Sequence, residues 1–193
     1  MALPSEETVP NVLINTIYFP DIVDGKIPTE NFLHASRGVV VIIEKFGKLF
    51  APVKHDMDGN IEKLNNKYSL DKEKHKTLQD MILLEIEEGK TVIATESLIW
   101  LRRSLYMILL FFEKIIEDHN AGKATDDLVA FLKEAYKISL EPYHGWMIQQ
   151  LFDEKDLPDA VILRDMEIYS KNLRLNIENL QIFYEIHELE KYL

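Results

Sequence analysis

The 193-residue sequence contains no cysteine, which excludes both a disulfide framework and a thiolate metal site. It also lacks a long hydrophobic run, because its most apolar stretch, 105–112, is far shorter than the roughly 20 residues that span a bilayer. Positive charge is scarce: 22 Lys and Arg residues face 33 Asp and Glu residues, which gives a formal net charge of −11. This balance argues against a general nucleic-acid binder and against strong adhesion to anionic membranes.

The signatures of common catalytic sites are missing as well. The sequence has no phosphate loop, no glycine-rich dinucleotide turn, no zinc-type histidine spacing and no nucleophile elbow. His55-Asp56 is a dyad of the kind that metal-dependent phosphohydrolases use, but His34 is the only upstream histidine to extend it. We therefore expect a protein that is not an enzyme and that uses neither a metal nor a cofactor. The first ten residues show no signal-peptide pattern, so we expect a soluble, cytoplasmic chain.

The sequence does contain regular helical patterns throughout. Its length favours one domain, and we expect a loose segment over 1–10 followed by a single domain over 11–193. Apolar spacing and helix-start residues predict an all-α fold of about eight helices. The expected helices cover 12–19, a segment from Pro28-Thr29 to Gly47, 55–68, 71–88, 96–119 with Thr95 as N-cap, a segment from Thr125, 145–152, and a last long one with Leu173, Ile177, Leu180 and Tyr184 on one side.

Asp56, Asn60 and Lys63 form a polar stripe on the second long helix. A helix turns by about 100° per residue, so positions i, i+4 and i+7 share one face. One carboxylate, one amide and one ammonium group therefore point the same way. Taken alone, such a stripe most often marks a solvated helix face; its other interpretation is one wall of a site for a polar headgroup.

Two polar-aromatic segments lie far from this stripe in sequence. Trp100 is followed on one helix face by Arg103, Ser104, Met107 and Phe111. An aromatic ring, a cation and then apolar side chains therefore succeed one another along this face. This face is either a core stripe under a surface Trp or a platform on which a sugar ring stacks above a site for hydrocarbon. In the run from Tyr143 to Trp146, His144 is either a core residue or a donor to an acyl carbonyl.

Three stretches of this sequence resemble the glycolipid transfer protein family. They are Ala51-Pro-Val-Lys-His-Asp-Met-Asp-Gly-Asn-Ile-Glu-Lys-Leu64, Leu98-Ile-Trp-Leu-Arg-Arg-Ser-Leu105 and Tyr143-His-Gly-Trp146. The resemblance runs from about residue 12 to the end of the chain. It implies a two-layer helical sandwich, with a surface headgroup site that opens onto a hydrophobic tunnel for ceramide chains.

The resemblance also implies a role for individual residues. Asp56, Asn60 and Lys63 would bond the sugar and the ceramide amide, Trp100 would stack on the first sugar, and His144 would bond the amide carbonyl. Met107, Phe111 and Phe152 would line the tunnel. Tyr136 and Trp146 would contact the membrane surface.

The implied activity is non-enzymatic transfer of glycosphingolipids between membranes. The expected partners are a galactosyl-, glucosyl- or lactosylceramide and, transiently, a membrane surface, with no nucleic acid. Two alternatives are a lipid sensor with the same pocket and a ceramide-1-phosphate carrier. In the ceramide-1-phosphate branch, arginine replaces the stacking Trp and a basic residue replaces the Asn, so Trp100 and Asn60 favour a sugar headgroup.

Overall fold

The computed structural model describes residues 18–44, 50–123, 128–143 and 163–193, and these ranges are largely helical. Six α-helices run through them: α1 Thr29–Glu44, α2 Ala51–Leu70, α3 Leu78–Glu88, α4 Ile93–Asn120, α5 Leu128–Ser139 and α6 Leu163–Ile186. Two short 3₁₀ helices, Glu141–Tyr143 and Leu189–Tyr192, follow α5 and α6. No strand occurs in these ranges, where β contacts are limited to two isolated bridges. The all-α prediction is confirmed.

The expected number of about eight helices is wrong for the described part of the chain, which holds six. The short helix expected over 12–19 does not include Tyr18 or Phe19, which are non-helical, and the rest of that segment lies outside the described residues. The helix expected over 145–152 lies wholly outside them.

α3 begins at Leu78 rather than at residue 71, because Thr77 caps it. The Thr77 Oγ1 atom accepts a hydrogen bond from the Asp80 backbone N–H (3.2 Å) and donates one to Asp80 Oδ2 (2.7 Å). This reciprocal pair satisfies N-terminal groups that the helix leaves without an internal partner. Upstream, Asp71 Oδ1 accepts from the Lys74 backbone N–H (3.1 Å) and holds residues 71–77 in turns.

The start of α4 differs from expectation in a more informative way. The helix begins at Ile93, and Thr95 lies inside it rather than at its N-cap. The cap comes from Glu85 of α3, a residue only 1% exposed. Its carboxylate accepts from the backbone N–H groups of Ala94 (3.0 Å) and Thr95 (2.8 Å) and from the Thr95 hydroxyl (2.9 Å). A negative charge there also complements the positive end of the helix dipole.

α4 is the central helix of the fold. It packs against α2, α3, α5 and α6, and 15 of its 28 residues are buried. A helix that is buried on most sides must be apolar nearly all round, and this explains the run 105–112 without a membrane. No helix of the described chain combines the length and the apolar character needed to cross a bilayer.

The apolar spacing of the outer helices is confirmed. Residues 39–43, which are rich in β-branched side chains, lie in α1, and its helix-spaced apolar residues Phe32, Val39, Val40 and Ile43 are buried. On α6, the predicted stripe of Leu173, Ile177, Leu180 and Tyr184 is buried throughout. Arg174 of α6 is also paired with Glu113 of α4 through Nε (3.0 Å) and Nη2 (2.6 Å), which fixes the rotation of α6 about its axis.

Candidate functional site

The polar stripe lies on α2 at the edge of its contact with α4. Asp56 and Lys63 are exposed, whereas Asn60 is 4% exposed and joins the buried face with Met57, Ile61 and Leu64. Asp56 Oδ2 accepts a hydrogen bond from Ser104 Oγ of α4 at 3.2 Å. The two ends of the stripe are therefore exposed to solvent and its middle residue is buried. The first residue, Asp56, is hydrogen-bonded to the neighbouring helix.

Trp100 lies one turn before Ser104 on α4 and is half-buried. The guanidinium carbon of Arg103 is 4.9 Å from the Trp100 ring centre and 3.4 Å from that of Tyr143. Distances in this range give a favourable cation–π interaction with each ring. Arg103 thus brings Tyr143, which directly precedes His144, to the same end of α4 as Trp100. Among the described residues, Asp56 therefore contacts α4 one turn from Trp100, and Tyr143 lies against Arg103 at the same end of the helix.

The site also contains two cations that are almost completely buried. Arg102 is 6% exposed and Arg103 is 3% exposed. Nη2 of each arginine lies near the same atom, Oε1 of Glu190, at 3.3 Å and 3.5 Å respectively. Burial lowers the pKa of Arg102, an effect that the adjacent Glu190 carboxylate opposes and the Arg103 charge reinforces. A carboxylate near the C-terminus therefore neutralises part of the charge at the site.

Below this polar end, the same face of α4 becomes apolar. Met107 and Phe111 are fully buried, and the Phe111 ring lies 5.4 Å from that of Phe50, which directly precedes α2. One continuous face of α4 therefore runs from a half-buried indole and a hydroxyl into the hydrophobic core. Such a junction can bind a molecule that has one polar end and one apolar end.

Several predicted site residues are not placed by the structure. His144, Trp146 and Phe152 lie outside the described residues. Tyr136, expected at the membrane surface, is described and is only 6% exposed. Its burial in α5 raises the pKa of its hydroxyl. Because most of its surface is shielded from solvent, Tyr136 does not suit the expected role of a membrane contact.

Glu190 was not found from the sequence, and neither was the contact of Tyr143 with Arg103. Glu190 stands 88 residues from Arg102 in a C-terminal segment without any motif, so local spacing gives no signal for the pairing. The i, i+3 spacing of Trp100 and Arg103 does give such a signal. Within the described ranges, no three His, Asp or Glu side chains are grouped closely enough to hold a metal ion.

Residues 27–154 match the family model described as Glycolipid transfer protein (GLTP). This chain belongs to the glycolipid transfer protein family. The match covers α1 to α5 and includes the polar stripe, Trp100 and the two arginines. The family is a lipid transfer family.

Individual relatives agree with this assignment. The pleckstrin homology domain-containing family A member 8 of Rattus norvegicus is 34% identical over an alignment of 218 positions, gaps included, that covers 96% of this chain. The chain spans 41% of the length of that relative. The glycolipid transfer protein of Xenopus tropicalis is 31% identical over 147 residues, 74% of this chain and 70% of that protein.

A solved structure supports the fold at similar identity. The GLTP-fold of FAPP2, described as selecting simple glycosphingolipids, superposes with a TM-score of 0.76 at 30% sequence identity. The similarity covers 90% of this chain and 91% of that one.

Proposed function

We propose that this chain is a non-enzymatic carrier that transfers glycosphingolipids between membranes. The observation that carries the proposal is the junction on α4. Asp56 of α2 is hydrogen-bonded to Ser104, one turn from Trp100, and the buried Met107 and Phe111 follow on the same helix. A polar carboxylate and an aromatic ring suit a sugar headgroup, and the apolar continuation suits its ceramide chains.

In this proposal each residue of the polar site has a separate task. Asp56 accepts hydrogen bonds from the sugar hydroxyls and from the ceramide amide, while Asn60 and Lys63 donate to the headgroup oxygens. Trp100 stacks on the apolar face of the first sugar. His144, which follows Tyr143, donates to the amide carbonyl. The description of FAPP2 as selecting simple glycosphingolipids supports galactosyl-, glucosyl- and lactosylceramide as the substrates.

The hydrophobic part of the proposed site is a tunnel in a two-layer helical sandwich, and the proposed domain covers residues 11–193. Met107, Phe111 and Phe152 line the tunnel, and Trp146 docks the protein transiently on the membrane from the cytoplasmic side. Each methylene group that the tunnel removes from water stabilises the complex by about 0.8 kcal/mol. Shielding two long chains in this way lowers the barrier that makes unassisted lipid exchange slow.

Vesicle-to-vesicle transfer of fluorescent galactosylceramide or lactosylceramide tests this function. Acceptor vesicles should gain fluorescence in proportion to protein concentration. The principal alternative is a sensor that binds the lipid in the same pocket but does not move it. Saturable binding with no protein-dependent transfer would support the sensor and contradict the carrier.

A ceramide-1-phosphate carrier is favoured by one observation, the two buried arginines beside Trp100. Asn60 and Trp100 point instead to a sugar, since a phosphate gains little from a stacking ring. Including ceramide-1-phosphate among the donor lipids decides between the two headgroups.

Replacing Trp100 with Ala should reduce galactosylceramide transfer by about tenfold, because stacking of a nucleic-acid base on an aromatic side chain is worth roughly 1–3 kcal/mol and we expect a sugar face to gain a similar amount. Trp100→Phe keeps an aromatic face and should retain most of the transfer. Initial transfer rates of the two variants and the wild type provide the measurement. Equal rates for Trp100→Ala and the wild type would remove Trp100 from the proposed headgroup site.

A further inference from the structure

Arg102 and Arg103 form a buried arginine pair whose two positive charges are only partly compensated by nearby negative charge. Arg102 and Arg103 are adjacent in sequence, 6% and 3% exposed, and share one carboxylate, that of Glu190. Among the described residues, these two buried cations pair with a single carboxylate, which leaves an excess of positive charge around the arginine pair. In a chain with a net charge of −11, this local excess differs in sign from the protein as a whole.

The hydrogen-bonding capacity of the pair is also incompletely used. Nε of Arg102, and Nε and Nη1 of Arg103, are buried and have no hydrogen-bond partner within the part of the chain that the structure describes. The bonds to Glu190 are long, and both go to one oxygen, Oε1. The rings of Trp100 and Tyr143 stabilise the Arg103 charge but do not replace acceptors for its N–H groups. The donors of this pair match the oxygens of a phosphate or sulfate group.

Glu190 is held in place where it meets the arginines. It belongs to the 3₁₀ helix Leu189–Tyr192, which contacts α4 and α6, and its neighbour Leu189 is 2% exposed and anchors the segment in the core. The side chain of Glu190 is 45% exposed, so its carboxylate lies between solvent and the buried guanidinium groups. An anion that approaches the arginines from solvent meets this carboxylate.

We infer that Glu190 is a specificity-determining residue, an internal counter-anion of Arg102 and Arg103 that excludes sphingolipids with a phosphate or sulfate headgroup. This inference rests on the proposed function, since it concerns which lipids the proposed site takes. A neutral sugar beside Trp100 can coexist with the carboxylate. An anionic headgroup would have to approach a like charge or displace it, and like-charge contacts in a desolvated site are costly.

The test replaces Glu190 with Gln, which keeps the shape and removes the charge. Transfer of galactosylceramide, its 3-sulfated form and ceramide-1-phosphate is measured from uncharged phosphatidylcholine vesicles, so that membrane charge does not contribute. We expect the ratio of anionic to neutral lipid transfer to rise at least about tenfold in Glu190→Gln. A gain for one anionic lipid alone identifies which headgroup the arginines fit, and supports the inference for that headgroup.

Matched variants separate this role from a general charge effect. Glu188 is exposed and lies two residues before Glu190. Glu188→Gln therefore removes the same charge outside the arginine contact and should leave the ratio of anionic to neutral lipid transfer unchanged. Glu190→Asp retains the carboxylate and should restore exclusion at least in part. In the double variant Glu190→Gln, Arg103→Gln the gain should disappear, because a cationic hydrogen-bond donor to the anion has been removed.

Inorganic phosphate provides a readout that does not depend on lipid transfer. Phosphate at tens of millimolar, compared with chloride at equal ionic strength, should raise the Tm of Glu190→Gln more than that of the wild type or of Glu188→Gln. An unchanged lipid ratio together with an equal phosphate effect on all three proteins would overturn the inference. Failure of the wild type to transfer any neutral glycosphingolipid would instead contradict the proposed function, and the phosphate comparison would still decide the role of Glu190.

Discussion

Replacing Asp56 with Val should abolish glycolipid transfer while the helical content stays unchanged. Asp56 is exposed on α2 and, among residues 18–44, 50–123, 128–143 and 163–193, has one hydrogen-bond partner, Ser104 Oγ at 3.2 Å, so its carboxylate retains acceptor capacity for a ligand. A hydrogen bond to a charged group contributes about 1.5–3 kcal/mol. If the lost bonds contribute about 2–3 kcal/mol in total, the affinity for the lipid falls by roughly 30- to 140-fold. Val is similar in size and cannot accept these bonds.

The control for this prediction lies on the same helix. Asp58 is also exposed but is turned by about 200° from Asp56 around the helix axis. Asp58→Val therefore makes the same chemical change away from the site and should transfer at the wild-type rate. Circular dichroism of both variants checks that α2 persists. Normal transfer by Asp56→Val would show that the headgroup assignment is incorrect, whatever the lipid proves to be.

The contrast between Asp56 and Asn60 shows why the polar stripe was only partly interpretable from sequence. Helical spacing correctly places Asp56, Asn60 and Lys63 on one arc of α2. It does not reveal that helix packing buries Asn60 to 4% exposure while leaving Asp56 and Lys63 exposed. Burial of a polar amide between two exposed polar residues is a tertiary effect, since it depends on which helix packs alongside.

Helices with a strong apolar repeat were predictable for a physical reason. On α1 and α6 the repeat by itself determines which face is buried, and Phe32, Val39, Leu173 and Leu180 are all in the core. Helix ends were less predictable because their caps can come from elsewhere in the chain. Thr77 caps α3 locally, and its T-x-x-D pattern is visible in the sequence. Glu85 lies ten residues from Thr95 on another helix, and Glu190 lies 88 residues from Arg102, so neither leaves a local pattern.

The long-range contacts of Glu85 and Glu190 have different consequences, although both are carboxylates that accept hydrogen bonds from α4. Glu85 is 1% exposed and its acceptors are occupied by the backbone and by Thr95, so we assign it to stability. Glu190 is 45% exposed and faces arginines that, within the described ranges, have N–H groups without a partner, so we assign it to selectivity. Substitution of the first should change folding with lipid preference intact, and substitution of the second should change lipid preference.

Replacing Glu85 with Ala should destabilise the protein by about 3 kcal/mol. The change removes the acceptor for two backbone N–H groups at the start of α4 and for the Thr95 hydroxyl, and leaves these groups buried. N-cap deletions cost about 0.5–2 kcal/mol, and each buried donor left without a partner adds about 1–3 kcal/mol. For a chain of this size, 3 kcal/mol corresponds to a fall in Tm of roughly 6–12 °C. Thermal unfolding followed by circular dichroism measures it.

Glu87→Ala is the matched control, because Glu87 lies two residues further along α3 and is exposed. Its Tm should stay close to that of the wild type. Glu85→Gln retains one carbonyl acceptor without the charge, and it should fall between Glu85→Ala and the wild type. Equal Tm values for Glu85→Ala and Glu87→Ala would mean that α4 does not depend on a cap from α3. The Tm of Glu85→Gln divides the effect into two parts, since its difference from the wild type reports the helix-dipole charge together with the lost acceptor oxygen, and its difference from Glu85→Ala reports the acceptor that remains.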